Sequence, residues 1–185
     1  MTILIKGDRI TLRSLKLSDA EDVVEYCNHK AIFRYTQNIP YPYKRKHAIE
    51  FITNSQKNLR KKIGYELGIE LDGKIIGGMS LLRVDPIKAE IGYVLGKKYW
   101  GKGYAIEAGK LIIDYGFKKL KLKRIWARVA HPNKASLKLL KKLGFKHEGV
   151  LRKNMFKNNR YYDEVRFGLL KEEYKRKKKR RVKGS

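Results

Sequence analysis

The sequence predicts a single α/β domain of the α+β kind, with a central sheet of about seven strands flanked by helices. Three observations carry this expectation. Short runs that alternate apolar and polar residues, the period of a strand, are interleaved with longer runs at helical spacing. Asp72-Gly73 joins two of the strand-like runs and tolerates the positive φ angles of a tight hairpin. Gly101 and Gly103 stand where a strand-like run gives way to a helical one, a place where missing side chains free the backbone to turn.

Taken in order, Asp8 to Arg13 alternates Ile10 and Leu12 with polar neighbours and reads as a strand. Ser18-Asp19-Ala20-Glu21 has the spacing of a capping box, which predicts a helix to about Asn28. Pro40, Pro42 and three tyrosines make Tyr35 to Tyr43 a loop, and a helix follows from about Lys44 to Lys61. Ile63 to Leu82 holds the two strands of the Asp72-Gly73 hairpin, and Ala89 to Leu95 is a further strand. A helix from about Tyr104 to Lys119 places Ala108, Leu111, Ile112 and Tyr115 on one apolar face. Arg124 to Val129 is a short strand that His131-Pro132-Asn133 ends, and the next helix stops at Gly144. Phe145 to Leu151 and Tyr161 to Leu170 form a last hairpin about Lys157-Asn158-Asn159.

With 185 residues, 42% of them hydrophobic, the chain suits one ordinary domain in spite of a 34% charged fraction. That domain is expected over residues 1–174, with 175–185 as a basic, disordered tail. Lys175 to Lys183 holds eight basic residues, and removing them from the net charge of +27 leaves about +19 on the body. So basic a surface attracts polyanions, which makes RNA or ribosome contact through body and tail an expectation. Cys27 is the only cysteine, so no intrachain disulfide forms, and a reducing, cytoplasmic location follows. The apolar run at the N-terminus is too short for a signal peptide, and no stretch nears the ~20 apolar residues of a membrane span.

A glycine pair between strand and helix lets backbone N–H groups surround an anion, and the helix N-terminus adds its positive end, so a pyrophosphate is the natural ligand. The run from Gly96 to Gly103 nearly matches the nucleotide-binding P-loop, but Gly103 stands where a magnesium-binding hydroxyl is required. A dinucleotide site needs a third glycine and a later acid, whereas the chain has Ile106 and Lys123.

Lys98-Tyr99-Trp100-Gly101-Lys102-Gly103-Tyr104-Ala105 resembles the coenzyme A pyrophosphate loop of the GNAT acetyltransferases, with Lys98 where the family usually has Gln or Arg. His131-Pro132-Asn133-Lys134-Ala135-Ser136, Lys142-Leu143-Gly144-Phe145 and Glu148-Gly149 are similar to later segments of the same family. Together with Ala89-Glu90-Ile91-Gly92-Tyr93, they most resemble the branch holding the ribosomal-protein N-terminal acetyltransferases RimJ and RimL. The resemblance runs from about Ile10 to Leu170. It implies a mixed, mostly antiparallel sheet and transfer of an acetyl group from acetyl-coenzyme A to a primary amine by direct attack. It also implies cofactor contacts at Tyr93, Val94, Leu95, Lys98, Gly101, Lys102, Gly103, Tyr104, Ala105, Asn133 and Ser136.

Direct attack needs a neutral amine, a place for developing oxyanion charge and a proton for the leaving thiolate. Glu90, on the strand before the loop, can take the amine proton directly or through water, although a solvated or ion-paired carboxylate is the equal alternative. Asn133 is placed to cap a helix, and Ser136, on that helix, can hydrogen-bond to the thiolate. No metal is required, and His29, His47, His131 and His147 lack metal-ligand spacing. Cys27 reads as a packing residue, and Tyr161 and Tyr162 either pack on their hairpin or line the acceptor side. The expected acceptor is the α-amine of a protein such as a ribosomal protein. Two alternatives stay open: a small-molecule acceptor, polyamine or amino sugar, and a ribosome-associated module that binds coenzyme A without turnover.

Overall fold

Eight strands in one sheet organise the chain, seen in a computed structural model that describes residues 2–174. They are β1 (Leu4–Lys6), β2 (Thr11–Ser14), β3 (Tyr65–Leu71), β4 (Lys74–Leu82), β5 (Lys88–Leu95), β6 (Arg124–Ala130), β7 (Lys146–Lys157) and β8 (Arg160–Leu170). Their order across the sheet is β1-β2-β3-β4-β5-β6-β8-β7. Every neighbouring pair is antiparallel except β5 with β6. A parallel pair needs a long crossover, here supplied by α4 (Tyr104–Lys118).

Each face of the sheet carries its own core. On one side α4 buries Ala108, Ile112, Ile113 and Phe117 with Leu67, Ile69, Met79, Leu81 and Ile91, and α5 (Lys134–Leu143) adds Leu140 and Leu143. On the other, α1 (Ala20–Cys27) and α3 (Arg45–Arg60) enclose Val23, Tyr26, Ala48, Ile52 and Ile75. Residues two apart on a strand share a face, so the apolar alternation read from the sequence sends the two sets to opposite cores.

Three local readings are corrected. The sheet has an eighth strand that the reading did not place: Leu4–Lys6 pairs with β2, with Ile5 half-buried between exposed Leu4 and Lys6, an alternation too short to mark a strand by itself. A short helix, α2 (Lys30–Tyr35), lies just before the expected loop, where the His29 ring Nδ1 accepts from the Ala31 N–H at 3.0 Å. The capping residue before α1 is Asp19, not Ser18. Its carboxylate accepts from the Lys16 N–H at 2.7 Å, which closes a 3-10 turn over Leu17–Asp19. It also takes both Arg13 guanidinium nitrogens at 2.8 and 2.9 Å. The two hairpin turns hold as read: Asp72 and Gly73 have φ of 50° and 79°, and Asn158 and Asn159 have 52° and 56°. The basic tail from Lys175 lies outside the described residues.

Candidate active site

β5 and β6 stay paired for only three residues, Lys88 with Arg124, Ala89 with Ile125 and Glu90 with Trp126. Beyond Glu90 the strands part, while β5 keeps its partner β4 as far as Leu95 and β6 keeps β8 as far as Ala130. The edge of β5 that carries Ile91 to Leu95 therefore faces a wedge and not a strand.

At the end of that wedge lies the glycine loop. A 3-10 turn over Lys97–Tyr99 follows Gly96, and the Trp100 indole N–H donates to the Leu95 carbonyl at 2.6 Å, folding the loop back on β5. Gly101 and Gly103 hold φ of 78° and 86°, left-handed values that side chains disfavour, and Gly103 is the N-cap of α4. Among the described residues no carbonyl accepts from the N–H groups of Gly101, Lys102 or Gly103. A Cβ added at Gly101 meets nothing within 4 Å, so open space lies over the turn. These free donors at the N-terminus of a 15-residue helix suit a diphosphate.

Arg9, which the sequence reading passed over, braces this loop. Its Nη1 donates to the Lys102 carbonyl at 3.0 Å, its Nε pairs with Glu107 Oε2 at 2.9 Å, and its guanidinium lies 4.8 Å from the Tyr104 ring centroid. Lys98 does not turn toward the glycines. Its ammonium pairs with Glu25, which raises its pKa, and lies 5.2 Å from the centroid of the Tyr99 ring.

A cavity of about 940 Å³ occupies the wedge and extends under α3. Glu90 to Val94 line one wall and Ala127 to Ala130 the other, with Asn133 and Ser136 of α5, Met155 and Lys157 of β7, and Glu66 of β3. The structure thus brings together Glu90, Tyr93, Val94, Asn133 and Ser136. Leu95, Lys98 and the residues from Gly101 to Ala105 lie outside this cavity, on the strand end and loop beyond it. Asn133 caps α5, its Oδ1 accepting from the Ser136 N–H at 3.1 Å.

Both oxygens of Glu90 hold an arginine. Arg83 Nη1 is 2.7 Å from Oε2, and Arg128 Nε is 2.9 Å from Oε1. Of the readings open from sequence, the ion-paired one describes this carboxylate. Arg128 also lies 4.0 Å from the wholly buried Glu164, which Arg166 contacts directly. The result is a row of alternating charge across β5, β6 and β8. Tyr93 is a different donor: burial pushes its phenol up to about 12, against a smaller opposing effect of its hydrogen bond to the Ser136 carbonyl at 3.4 Å. Burial likewise pushes the Cys27 thiol up to about 12, so it stays a thiol at neutral pH, consistent with packing. His29 and His47 act as helix caps, each accepting through Nδ1. Among the described residues no cluster of His, Cys, Asp or Glu is arranged to hold a metal ion, and no helix is long and apolar enough to cross a membrane.

A strand pair that opens beside a glycine turn at a helix N-terminus suits a transferase that draws on an acyl-coenzyme A. Residues 9–146 match the acetyltransferase (GNAT) domain, and the chain belongs to the GNAT family. It is an acetyl-coenzyme A-dependent N-acetyltransferase. It is 34% identical over 171 residues to the N-acetyltransferase p20 of Bacillus licheniformis, itself uncharacterized, covering 90% of this chain and 96% of that one. It is 28% identical over 167 residues to the spermidine N(1)-acetyltransferase of Escherichia coli K12, covering 89% and 88%. Among solved structures, the microcin C7 self-immunity acetyltransferase MccE, in complex with acetyl-CoA and AMP, superposes with a TM-score of 0.82 at 27% identity, over 89% of this chain and 93% of that one. RimL in complex with coenzyme A gives 0.85 over 91% and 98%, at 17% identity, a likeness of fold alone.

Proposed function

We propose that this acetyltransferase acts on the α-amino terminus of a polypeptide, as the RimJ and RimL branch does, with ribosomal proteins favoured as acceptors by the basic surface. The observation that supports this reading is the acceptor side of the cavity. It ends in the exposed polar rim of Gln37, Asn38 and Asn54 and runs beside Met155 and Lys157, giving an extended chain a place to lie. An α-amine, with a pKa of about 7.7 to 8.0, is roughly one-tenth neutral at pH 7, whereas a lysine at about 10.4 is far less so.

Bound acetyl-coenzyme A supplies an acyl group already activated as a thioester. The N–H groups of Gly101, Lys102, Gly103, Tyr104 and Ala105 hold its diphosphate, with Lys98 at the loop's edge. The open edge of Tyr93, Val94 and Leu95 aligns the pantetheine arm, and Asn133 and Ser136 close the far wall. Ser136 Oγ donates a hydrogen bond where the thiolate departs, and the protonated Tyr93 phenol does so on exchanging the Ser136 carbonyl, 3.4 Å away, for the sulfur. Glu90 is the carboxylate toward which the amine proton moves through cavity water, since its own oxygens are engaged by Arg83 and Arg128.

A small cationic amine is the second reading, favoured by Glu50 and Glu66 on the cavity wall of an otherwise basic protein. One experiment separates the two. N-terminal peptides, polyamines and amino sugars are offered in parallel and thiol release is followed; turnover of polyamines with none on peptides overturns the polypeptide assignment.

A further inference from the structure

Glu66 is out of keeping with the other acids inside this protein. The three most buried carboxylates, Asp19, Glu90 and Glu164, all sit against arginines. Among the described residues no basic side chain pairs with Glu66. Its Oε1 accepts from the Asn58 amide at 3.0 Å, and its Oε2 is buried without a hydrogen-bond partner among the described residues. A carboxylate in that position carries a desolvation cost that a neutral amide offsets only in part. Burial accordingly raises the Glu66 pKa, against the smaller lowering effect of Asn58.

Glu66 also lies on the floor of the acceptor cavity, in line with the wedge. Glu66 pairs with Ser80, and Ser80 with Gly92, so the three form one row across β3, β4 and β5. Directly opposed residues share a face, and strands are about 4.8 Å apart, which puts the Glu66 Cα about 10 Å from that of Gly92. That is too far for the carboxylate to touch an amine reacting at the wedge. It is within reach of a second positive group on the same acceptor, one side chain or a short alkyl tether away.

Resting on the acceptor site assigned above, we infer that Glu66 is a specificity residue that selects acceptors bearing a second positive charge. The charge can come from a lysine or arginine next to a polypeptide terminus or from the second nitrogen of a diamine. In either case the carboxylate turns from Gly64, against which Oε2 packs, toward the cavity, and the cation supplies the partner that the fold withholds.

The test compares acceptors that differ in that charge alone. One pair is peptides beginning Ala-Lys and Ala-norleucine, and the other is 1,4-diaminobutane and butylamine. kcat/KM is measured for wild type and Glu66→Gln, and acceptor binding to the protein–coenzyme A complex is read by calorimetry. Wild type is expected to favour the charged member of at least one pair by about tenfold or more, the range of a hydrogen bond to a charged group. In Glu66→Gln that ratio falls to near one while coenzyme A still binds. A preference in the peptide pair places the cation on a polypeptide, and one in the diamine pair places it on a small amine. An undiminished ratio in Glu66→Gln, equal loss on all four acceptors, or no preference in wild type overturns the inference. Turnover of diaminobutane with none of either peptide overturns the polypeptide reading instead and leaves Glu66 its role.

Discussion

Arg9 and Glu107 meet across 98 residues of chain, with Nε 2.9 Å from Oε2 and the Arg9 backbone N–H donating to the other oxygen at 2.8 Å. Glu107 lies in the first turn of α4, where the helix dipole also favours a negative charge. Because the same guanidinium holds the Lys102 carbonyl, the turn between β1 and β2 fixes the shape of the glycine loop. Arg9→Ala should therefore weaken coenzyme A binding by about three- to tenfold, a modest effect because Arg9 is half exposed. Calorimetry measures the loss, and kcat should move less than KM.

Gly101→Val and Gly103→Val should abolish measurable coenzyme A binding in a chain that still folds. Valine at a left-handed φ is strained by about 1–3 kcal/mol, and at Gly101 no protein atom obstructs the new side chain. What it occupies is the space over the turn. Far-ultraviolet circular dichroism beside the titration separates the two effects, and normal affinity in a folded variant removes that glycine from the site.

Tyr93→Phe removes the phenol and keeps the ring packed against the α4-side core. Turnover should fall about tenfold or more with little change in coenzyme A affinity. With its pKa pushed up to about 12, the phenol is protonated across the working range, so the wild-type rate profile should show no ionisation of Tyr93 below about pH 11. Unaltered turnover in the variant leaves Ser136 as the donor.

Glu90→Gln should lower turnover by about 10² while leaving coenzyme A affinity nearly intact. It should also destabilise the fold by about 3 kcal/mol, because Arg128 is left in the wall with only Glu164 at 4.0 Å. Thermal melting and steady-state kinetics on one preparation report both. A variant that melts lower but turns over normally makes Glu90 the anchor of Arg128 and nothing more.

Acid sensitivity should centre on Asp19. Burial works to raise its pKa, but hydrogen bonds from Arg13 and the Lys16 N–H outweigh it and hold the carboxyl below its ordinary value. The unfolded chain then binds more protons than the folded one. The contribution to stability is complete above the unfolded value of about 3.9 and is lost as the pH falls through the lower folded one. Denaturant unfolding of wild type and Asp19→Asn at a series of pH values should show the two curves converging below about pH 4.

The features legible in the sequence are those in which local residue chemistry dictates the backbone. Asp72-Gly73 and Asn158-Asn159 adopt positive φ because these residues tolerate it, and Gly101 and Gly103 announce the turn before α4 for the same reason. Asn133 could be assigned as a cap because its helix follows immediately. The divergence of β5 from β6 is not written in either strand, and only the sheet register shows it. Glu90 was visible as a candidate, but its partner Arg128 is 38 residues away and Arg83 lies past the end of β4, so only the sheet register shows the pairing. Arg9 and Glu66 carried no spacing signal. A lone acid in the apolar run Tyr65-Glu66-Leu67 was the one available sign.

The early end of the β5–β6 ladder gives this sheet two inner edges, along Ile91 to Leu95 and Ala127 to Ala130, besides its two outer ones. The outer ones follow the usual defences: β1 is only three residues long, and β7 is bent by two irregularities and studded with Lys146, Arg152, Lys153 and Lys157. The inner edge along Ile91 to Leu95 has no such protection, because any residue that blocked it would also block the wedge. An unguarded strand edge is adhesive toward any extended backbone. Acetyl-coenzyme A lying along it would act as a removable cover, and the cellular supply of that metabolite would then govern how much of the protein stands with its seam exposed.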